Sequence, residues 1–499
     1  MTMETTVTTL SHLARIAGGE LTGSVAPVVT SVELDSSRLA DEGALFAAVP
    51  GTRRHGAEFA RGTPAVAILT DAAGKELLDA AGDTRPVILV DDVRAVLGAV
   101  AAEIHGHPSE RLTLLGITGT SGKTTTSYLL EQGLMAADLK VGLIGTTGTR
   151  INGRPVPTDL TTPEATTLQP LFVRMLAEGV THVVMEVSSH ALELGRVAGT
   201  RFDVAGFTNL SQDHLDFHPT MEEYFAAKAR FFDPASPLAA ERSVVCVDDE
   251  WGRRMADLAS DPVTVATRGA EADVTAVQSS LTPTGAQVIR LTLPEGAVEA
   301  ELPLPGDFNI ANAALATAMA WAVGVDPQAF TAGFLDVAVP GRMERIDEGQ
   351  DFLAVVDYAH KPAAVAAVLD TLRGQVRGRL GVVVGAGGDR DATKRPLMGA
   401  EAAHRADLVI ITDDNPRSEV PATIRAAVLQ GAVDAGTDAE IREIGDRAAA
   451  IDALIEWARP GDGVVVAGKG HEVGQLVNGV NHHFDDREEV RRALKEKKH

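Results

Sequence analysis

The sequence predicts an α/β protein of three domains. Its 499 residues are enough for about three domains of ordinary size. Short Val, Ile and Leu runs alternate along the chain with Ala-rich amphipathic stretches, which is typical of parallel strands joined by helices. At 45% hydrophobic and 23% charged residues, the composition is that of a globular protein. We place the domains at residues 1–108, 109–338 and 339–499.

Charge and cysteine usage restrict the partners and the compartment. The chain carries 69 acidic and 45 basic residues, a formal charge of −24, so without a basic stripe it does not favour nucleic acid. Its single cysteine, Cys246, excludes an intramolecular disulfide. We see neither a signal peptide nor an apolar run of the ~18 residues that a membrane span needs. We expect a cytoplasmic monomer that binds small molecules and does not insert into membranes.

The N-terminal block predicts a small α/β domain. Residues 28–34, 65–69 and 87–90 are strand candidates, and residues 93–104 form a helical pattern that stops near His107 and Pro108.

The central block begins with a strand, residues 112–117, that leads into a glycine-rich loop and a helix. Glycines let backbone N–H groups surround an anion, Lys123 can neutralise phosphate, and the Thr124 hydroxyl can bind Mg²⁺. Ile117 replaces the first glycine of the usual pattern, and a turn without a ligand is the alternative. The position after an apolar strand favours a P-loop ATPase-like parallel sheet that binds nucleotide phosphate through Gly119, Thr120, Ser121, Gly122, Lys123, Thr124 and Thr125. Residues 274–279, 287–293 and 298–302 predict a small antiparallel insert.

Two further strand ends of the central block carry metal-binding side chains. Glu186 follows the strand at residues 182–185, and His214 follows the strand at residues 204–207. A carboxylate is a suitable ligand for Mg²⁺. For His214 the residues alone leave a hydrogen-bonded loop histidine equally open.

The C-terminal block predicts a Rossmann-like domain with strands at residues 353–356, 380–384, 408–411, 441–444 and 464–467. Ligands of such sheets bind beyond the carboxyl ends of the strands. There, Asp414-Asn-Pro-Arg417 forms an Asx-Pro turn, and the planar fork of Arg417 suits bidentate capture of a carboxylate. A surface turn with a solvated arginine is the alternative.

A series of motifs resembles the Mur ligase family of peptidoglycan synthesis and matches it in order along nearly the whole chain. In the central block these are Thr118-Gly-Thr-Ser-Gly-Lys-Thr-Thr125, Glu186-Val-Ser-Ser-His190, Asn209-Leu-Ser-Gln-Asp-His-Leu-Asp216, Tyr224-Phe-Ala-Ala-Lys228 and Gly306-Asp-Phe-Asn309. Further along they are Gly341-Arg-Met-Glu344, Asp357-Tyr-Ala-His360, Gly387-Gly-Asp-Arg390 and Gly468-Lys-Gly-His-Glu472. The resemblance implies a ligase that uses ATP and Mg²⁺ to add meso-2,6-diaminopimelate to UDP-N-acetylmuramoyl-L-alanyl-D-glutamate through an acyl phosphate.

The resemblance also implies catalytic and nucleotide-binding roles. Lys123, Glu186, His214 and Lys228 are the implied catalytic residues, and Asn309, Arg342 and Asp357 would contact the adenosine part of ATP. Lys228 is implied to be carbamylated and to bind metal together with Thr124, Glu186 and His214. The residues alone favour an ordinary solvated helix lysine at Lys228. At Asn309 a helix N-cap is the alternative, and the two roles can coexist.

Two substrate sites follow from the resemblance as well. The implied UDP-muramoyl-peptide contacts are Ser36, Ser37, Thr161, Thr162, Ser189 and Arg196. The implied diaminopimelate contacts are Arg390, Asp414, Asn415, Pro416, Arg417, Gly468 and Glu472. The sequence departs from the family pattern at four positions: Ser36 for Asp, Ser121 for Asn, Leu194 for Gln and Lys361 for Thr. The alternatives are a lysine-adding ligase, a folylpolyglutamate synthase-like ligase and a P-loop switch that uses ATP only to change shape.

Overall fold

The computed structural model describes residues 8–23, 27–39, 42–158, 160–214, 217–282 and 286–497. In these residues the strands form sheets of five, eleven and six strands and two small two-stranded sheets. The α/β class predicted from the sequence is confirmed. No helix in the described part of the chain is long and apolar enough to cross a membrane.

The five-stranded sheet has the order β2-β7-β6-β5-β4. The predicted helix at residues 93–104 is confirmed as α3. The elements of this part are β1 (Thr8–Thr9), α1 (Leu10–Ile16), β2 (Glu20–Thr22), β3 (Val28–Val29), β4 (Ser31–Glu33), β5 (Ala44–Ala47), β6 (Ala67–Thr70), α2 (Ala72–Ala80), β7 (Val87–Leu89) and α3 (Val93–Ile104).

The single strand predicted at residues 28–34 is wrong. β3 pairs with β1 in a separate two-stranded sheet, whereas β4 pairs with β5 in the larger one. Between them the Thr30 N–H donates to the Gly43 carbonyl. β4 ends at Glu33 because the N–H groups of Leu34 and Asp35 both donate to the Glu33 carboxylate.

The eleven-stranded sheet has the order β11-β10-β9-β12-β8-β13-β14-β15-β16-β17-β18. β8 lies between β12 and β13, and all three are parallel. The elements are β8 (Thr113–Thr118), α4 (Lys123–Ala136), β9 (Val141–Gly145), β10 (Gly148–Ile151), β11 (Arg154–Val156), α5 (Ala165–Ala177), β12 (His182–Glu186), α6 (Ser189–Glu193), β13 (Val204–Phe207), α7 (Met221–Ala229), β14 (Arg242–Cys246), α8 (Glu250–Leu258), β15 (Val263–Ala266), β16 (Val274–Leu281), β17 (Gln287–Leu293), β18 (Gly296–Leu302), α9 (Asp307–Ala322) and α10 (Pro327–Ala332).

The three strands predicted as a small insert are antiparallel to one another, but they are not a separate unit. β16 pairs in parallel with β15, so β16, β17 and β18 extend the main sheet. The central parallel strands are covered on both faces: Leu115 and Ile117 of β8 point into one apolar core and Leu114 into the other. Burial on both faces explains why the parallel strands read as continuous apolar runs.

The six-stranded sheet has the order β19-β20-β24-β21-β22-β23, and its strands from β20 to β23 are parallel. The hairpin formed by β25 and β26 was not predicted from the sequence. The elements are β19 (Glu344–Arg345), β20 (Leu353–Asp357), α11 (Pro362–Arg373), β21 (Leu380–Val384), α12 (Lys394–Arg405), β22 (Leu408–Ile411), α13 (Pro421–Asp434), β23 (Glu440–Glu443), α14 (Arg447–Trp457), β24 (Gly463–Ala467), β25 (Gln475–Val477), β26 (Val480–His482) and α15 (Asp486–Lys497).

A buried ion pair fastens the last helix to this sheet. Arg447 of α14 donates from Nε and Nη2 to the Asp486 carboxylate of α15, each at 2.7 Å, and both side chains are fully buried. The guanidinium also donates to two carbonyls, those of Ala467 and Asp413. Ala467 is the last residue of β24, and Asp413 follows the end of β22. The pair therefore supports the loops at the carboxyl edge of the sheet.

Replacing Asp486 with asparagine is expected to destabilise the protein by about 3–5 kcal/mol, because it leaves a buried guanidinium without its counter-charge. Differential scanning calorimetry of full-length wild type and variant would measure this as a lower melting temperature.

A second ion pair between the same two helices provides the matched control. Arg492 and Asp452 are 2.7 Å apart but more than a third exposed, so Asp452→Asn should cost less than about 1 kcal/mol. An equal decrease in melting temperature for the two variants would contradict the importance assigned to the buried pair.

Candidate active site

The phosphate loop lies between β8 and α4, at the carboxyl end of a central strand. Gly119 and Gly122 have φ of 142° and 89°, and Gly122 is the N-cap of α4. A Cβ at Gly119 would lie 1.9 Å from Thr208 Oγ1, and one at Gly122 would lie 2.3 Å from Asn312 Oδ1. Both glycines are therefore required by conformation and by space. Gly122 makes no side-chain cap hydrogen bond to the α4 N-terminus, which leaves its N–H groups available to an anion.

The segment after β13 holds this loop in place. Thr208 Oγ1 donates to the Ser121 carbonyl at 2.7 Å, and Asn209 Oδ1 accepts from the Ser121 N–H at 3.1 Å. The Thr120 hydroxyl donates to the Ser211 carbonyl and accepts from the Ser211 N–H. The motif that starts at Asn209 thus supports the loop from a neighbouring strand. Leu215 and Asp216, its last two residues, lie outside the described residues.

Lys123 is the first residue of α4. Its Nζ donates to the carbonyls of Gly119 and Thr120, at 2.9 and 3.1 Å. Burial lowers the pKa of Lys123 to about 8, and the nearby Glu186 carboxylate offsets part of this effect. The ammonium is therefore held within the loop in an environment that favours the arrival of negative charge.

Glu186 ends β12 next to this loop and is 1% exposed. Its carboxylate accepts from Thr124 Oγ1 at 3.1 Å and from the Thr146 N–H and hydroxyl at 2.9 and 3.0 Å. In the described part of the chain it forms no ion pair with a basic side chain. A buried carboxylate beside a threonine hydroxyl is a suitable pair of oxygen ligands for Mg²⁺.

Lys228, on α7, is buried and points at the same loop. Its Nζ donates to the Gly119 carbonyl at 2.9 Å and lies 4.6 Å from the centre of the Tyr224 ring. The expectation of a solvated helix lysine is therefore wrong, because the side chain is 1% exposed. Burial, followed by the charges of Lys123 and Lys361, lowers the pKa of Lys228 well below its usual value.

His214 has a left-handed backbone, with φ of 54°, and a side chain that is 44% exposed. Its Nε2 lies 3.0 Å from Asp213 Oδ2. Partial burial lowers the pKa of His214 to about 4 against the attraction of Asp213, so the imidazole is neutral at pH 7. A neutral imidazole can act as a metal ligand. In the described residues, however, no three His, Cys, Asp or Glu side chains are placed to hold a metal by themselves.

The expectation that Asn309 is a helix N-cap is wrong. Gly306 is the N-cap of α9, and Asn309 lies inside the first turn, where it is buried and donates to the Pro305 carbonyl at 2.8 Å. Its Oδ1 accepts from Asn312, the residue that packs against Gly122. Asn309 is thereby connected to the phosphate loop.

Arg342 and Asp357 lie near each other in the C-terminal part, where β19 begins and β20 ends. The Arg342 guanidinium stacks on the Tyr358 ring at 4.1 Å, and its Nε is buried without a hydrogen-bond partner among the described residues. Asp357 accepts from the Met343 and Ala359 N–H groups. Burial raises the pKa of Asp357, although Arg342 and these N–H groups act in the opposite direction. A buried donor without a partner is suited to contact a ligand.

Asn415 is the centre of the loop after β22. Its Oδ1 accepts from Lys469 Nζ at 3.0 Å and from the Leu476 N–H at 2.9 Å, so its Nδ2 donates to Glu472 at 2.9 Å. Lys469 is fully buried. The hairpin also holds Arg417, which has φ of 53° and whose N–H donates to the Leu476 carbonyl. These contacts fix the orientation of the Asp414–Arg417 turn, in which Pro416 is buried.

Other predicted residues surround this turn. A Cβ on Gly468 would lie 2.7 Å from the Asp414 carboxylate, and Gly468 has φ of 123°, so glycine is required there. Glu472 also accepts from the Tyr358 hydroxyl at 3.1 Å. Arg390 is exposed, and both Arg390 and Arg417 lie near the Asp389 carboxylate. Arg417 is partly exposed, and its Nη1 donates to the Gly388 carbonyl at 2.7 Å.

The predicted serines of the N-terminal part form a 3₁₀ turn, Ser36–Arg38. The sequence places Ser36 where the family has Asp, but Asp35 supplies the carboxylate from one position earlier. Its Oδ1 accepts from the Ser37 N–H and hydroxyl at 2.9 and 2.7 Å. The turn is therefore capped in spite of the departure.

A second group of predicted residues lies beside Glu186. Thr162 Oγ1 donates to the Glu186 carbonyl at 2.8 Å, and Thr161 Oγ1 donates to Thr146. Ser189 is 2% exposed, and its Oγ has no hydrogen-bond partner among the described residues. Arg196 pairs with Glu164 at 2.9 Å, and Glu164 also contacts Arg94 of the N-terminal part. These side chains connect the edge of the site to the five-stranded sheet.

Sequence reasoning missed three groups of this site. Thr146 follows β9, a neighbour of β12, so the rule that places ligands beyond strand ends could have identified it. Lys469 lies between Gly468 and Glu472, two residues of the same motif that were predicted to contact diaminopimelate. The third group is an ion pair between Asp213 and Lys361, at 2.6 Å, and no local pattern announces a contact between residues so far apart in sequence.

Family models and curated relatives match most of the chain. Residues 117–320 match the model for the Mur ligase middle domain, and residues 341–470 match that for the Mur ligase glutamate ligase domain. The UDP-N-acetylmuramoyl-L-alanyl-D-glutamate–2,6-diaminopimelate ligases of Corynebacterium efficiens and Corynebacterium glutamicum are both 66% identical. The first match covers 99% of this chain and 96% of the relative, and the second covers 97% of each.

A solved structure of a ligase with the same name is 32% identical, with a TM-score of 0.67, over 99% of this chain and 100% of that one. Family models together match more than half of the chain, and the two relatives are 66% identical over nearly its whole length. The chain belongs to the Mur ligase family.

Proposed function

We propose that the protein is an ATP-dependent, ADP-forming ligase that adds meso-2,6-diaminopimelate to UDP-N-acetylmuramoyl-L-alanyl-D-glutamate. The observation that carries the proposal is the phosphate loop with Lys123, Glu186 and Lys228 around it, in a chain with two relatives of that activity at 66% identity. The reaction would take place in the cytoplasm, where ATP and peptidoglycan precursors are available.

Amide formation requires an activated carboxyl group, because a carboxylate resists attack by an amine. In the proposed reaction, the D-glutamyl side-chain carboxylate attacks the γ-phosphorus of ATP, and ADP leaves. The diaminopimelate amine then attacks the acyl carbon, and phosphate leaves. Lys123 and the N–H groups of residues 119–125 would hold the phosphates and stabilise the charge that develops on them. Asn309, Arg342 and Asp357 would hold the adenosine part.

Mg²⁺ fits the pair formed by Glu186 and Thr124, which offers a buried carboxylate and a hydroxyl 3.1 Å apart. When bound there, the ion supplies positive charge to the phosphate oxygens. We assign His214 and a carbamylated Lys228 to metal binding on the opposite side of the loop.

The environment of Lys228 favours carbamylation. Burial and the neighbouring ammonium groups lower its pKa, so the neutral amine that reacts with CO₂ is readily available. The nitrogen of the neutral amine bonds to the carbon of CO₂ and loses one proton. Starting from the ammonium form, two protons are released in all, and a cation becomes an anion. The change would also remove the repulsion between Lys228 and Lys123 and create oxygen ligands for a metal.

The loop around Asn415 provides the proposed amino-acid site. Arg417, with Arg390 nearby, would bind the distal carboxylate of diaminopimelate, and Asp414 and Glu472 would bind its ammonium group. Pro416 and Gly468 would shape the loop. L-Lysine lacks the distal carboxylate, so Arg417 is the proposed source of discrimination between the two.

We assign the UDP end of the other substrate to the turn at Ser36 and Ser37. Thr161, Thr162, Ser189 and Arg196 would contact the muramoyl peptide. The unpartnered, buried Ser189 hydroxyl supports this assignment. The proposed domains at 1–108, 109–338 and 339–499 would then each serve one substrate, in the order UDP-muramoyl peptide, ATP and diaminopimelate.

To test this function, the purified protein is incubated with ATP, Mg²⁺ and UDP-muramoyl dipeptide. One reaction contains meso-diaminopimelate as the amine, and the other contains L-lysine. Mass analysis should detect amide product with diaminopimelate and little with lysine. Product with lysine only would overturn the specificity. Phosphate release that never yields an amide with either amine would instead indicate a P-loop switch.

Arg417→Ala is the companion variant in this assay. We expect it to raise KM for diaminopimelate on the order of 10–100-fold, the loss typical of a charge-assisted contact, with KM for ATP nearly unchanged. An equal loss for both substrates would indicate a folding defect and not a specificity contact.

Lys228→Ala should nearly abolish ligation, because the site loses the proposed carbamate oxygens. Adding a short-chain carboxylic acid such as acetate should restore part of the activity, since a free carboxylate can take the place of the missing one. Turnover rates of the wild type and variant, with and without acetate, measure the effect. Full turnover by the variant would contradict the role.

A further inference from the structure

An ion pair joins the two large sheets beside the phosphate loop. Asp213 follows β13 of the eleven-stranded sheet, and Lys361 directly precedes α11 of the six-stranded sheet. Lys361 Nζ lies 2.6 Å from Asp213 Oδ2, and the two side chains are only 10% and 14% exposed. A pair that is this well shielded is held more strongly than an ordinary surface pair.

The pair lies among the catalytic groups. The same Asp213 oxygen is 3.0 Å from His214 Nε2. Lys361 is close enough to Lys123, Lys228 and Lys394 to lower the pKa of each of them. Lys361 is thus repelled by several ammonium groups and attracted by Asp213.

The geometry shows how closely the two side chains are held. Lys361 Nζ is 2.6 Å from Asp213 Oδ2, whereas His214 Nε2 is 3.0 Å from the same oxygen. Among the described residues, Asp213 is the one ion-pair partner of Lys361. Without this carboxylate, Lys361 would face the nearby ammonium groups of Lys123 and Lys394 with no counter-charge.

We propose that Lys361 is a positioning residue that, through Asp213, holds the C-terminal sheet against the phosphate loop and keeps water from the acyl phosphate. The inference rests on the proposed ligase function. It also gives a role to the one departure from the family pattern, lysine for threonine, that brings a new charge into the site, since threonine could not form this pair.

The amount of phosphate released per amide formed reports how well water is kept from the acyl phosphate. In productive turnover, the amine nitrogen bonds to the acyl carbon, the bond from that carbon to the phosphate oxygen breaks, and one phosphate is released per amide. If water attacks instead, the same bond breaks and the carboxylate is regenerated, so ATP is hydrolysed to ADP and phosphate without amide. A looser interface raises the ratio of phosphate to amide.

The experiment measures both products for the wild type, Lys361→Met, Asp213→Asn and the double variant, at saturating diaminopimelate. We expect a ratio near one for the wild type and a ratio at least several-fold higher for each single variant. The double variant should be no worse than the singles, because all three lack the same pair. Lys361→Arg, which keeps the charge, should restore most of the coupling.

Lys394→Met is the matched control. Lys394 contributes a positive charge to the same region but forms no ion pair with Asp213 among the described contacts. Its loss should leave the ratio near one, even if the rate changes.

Four outcomes separate the possibilities. A ratio near one in Lys361→Met and Asp213→Asn would overturn the proposal, as would additive effects in the double variant. A raised ratio in Lys394→Met equal to that in Lys361→Met would overturn it too, because total charge would then be the cause. If the wild type forms no amide at all, the proposed function fails, whatever the variants do.

Discussion

In the protein before carbamylation of Lys228, repulsion among lysine ammonium groups is the constraint around which the site is organised. Lys123, Lys228 and Lys361 lie close enough to lower the pKa of Lys123 and Lys228, and the nearby carboxylates are those of Glu186 and Asp213. Removing ammonium groups from water is costly, and placing them near one another increases that cost. Such a cluster is consistent with selection for binding a polyanion. It also explains how a chain with a formal charge of −24 can bind ATP and a UDP-linked substrate: the positive charge is concentrated where the phosphates would lie.

The fold gives this cluster its geometry. β8 lies between β12 and β13, so the phosphate loop, Glu186 and the segment from Thr208 to His214 emerge side by side from one edge of the sheet. The loop cannot relax away from the repulsion, because Thr208, Asn209 and Ser211 hydrogen-bond to it. In the six-stranded sheet, hydrogen bonds likewise fix the loops of the proposed amino-acid site. There Lys469 and the β25–β26 hairpin fix Asn415, and Arg447 holds the carbonyls of Asp413 and Ala467.

The elements best predicted from the sequence were those whose signal is local. Most parallel strands were placed within one or two residues because they are buried on both faces and read as apolar runs. Helix α3 was placed from its helical pattern and its stop near His107 and Pro108. The strand at residues 28–34 was wrong because the break at Thr30 depends on partners elsewhere in the chain. The N-cap alternative at Asn309 is wrong because composition alone does not show that the helix begins earlier, after Gly306.

The same distinction applies to the site. Motif residues such as Lys123 and Glu186 were identified from strand-loop-helix patterns, and the fold brings them together. The burial of Lys228 could not be read from its own helix, because it depends on the phosphate loop and on Tyr224. The Asp213–Lys361 pair joins two sheets and appears only when both have folded.

The binding of ATP as a function of pH tests the central claim, that the buried lysines are arranged for a polyanion. The pKa of Lys123 is near 8 in the ligand-free protein, and bound phosphate favours the charged form of this lysine. Above pH 8, ATP binding should therefore be accompanied by the uptake of a proton at Lys123. Affinity should then fall by up to about tenfold for each pH unit beyond that value. Isothermal titration calorimetry at pH 7 to 9.5, in buffers of different ionisation enthalpy, measures both quantities, with Lys123→Met as the control that should lose the proton uptake. An affinity that stays constant to pH 9.5, with no proton taken up by the wild type, would contradict the account.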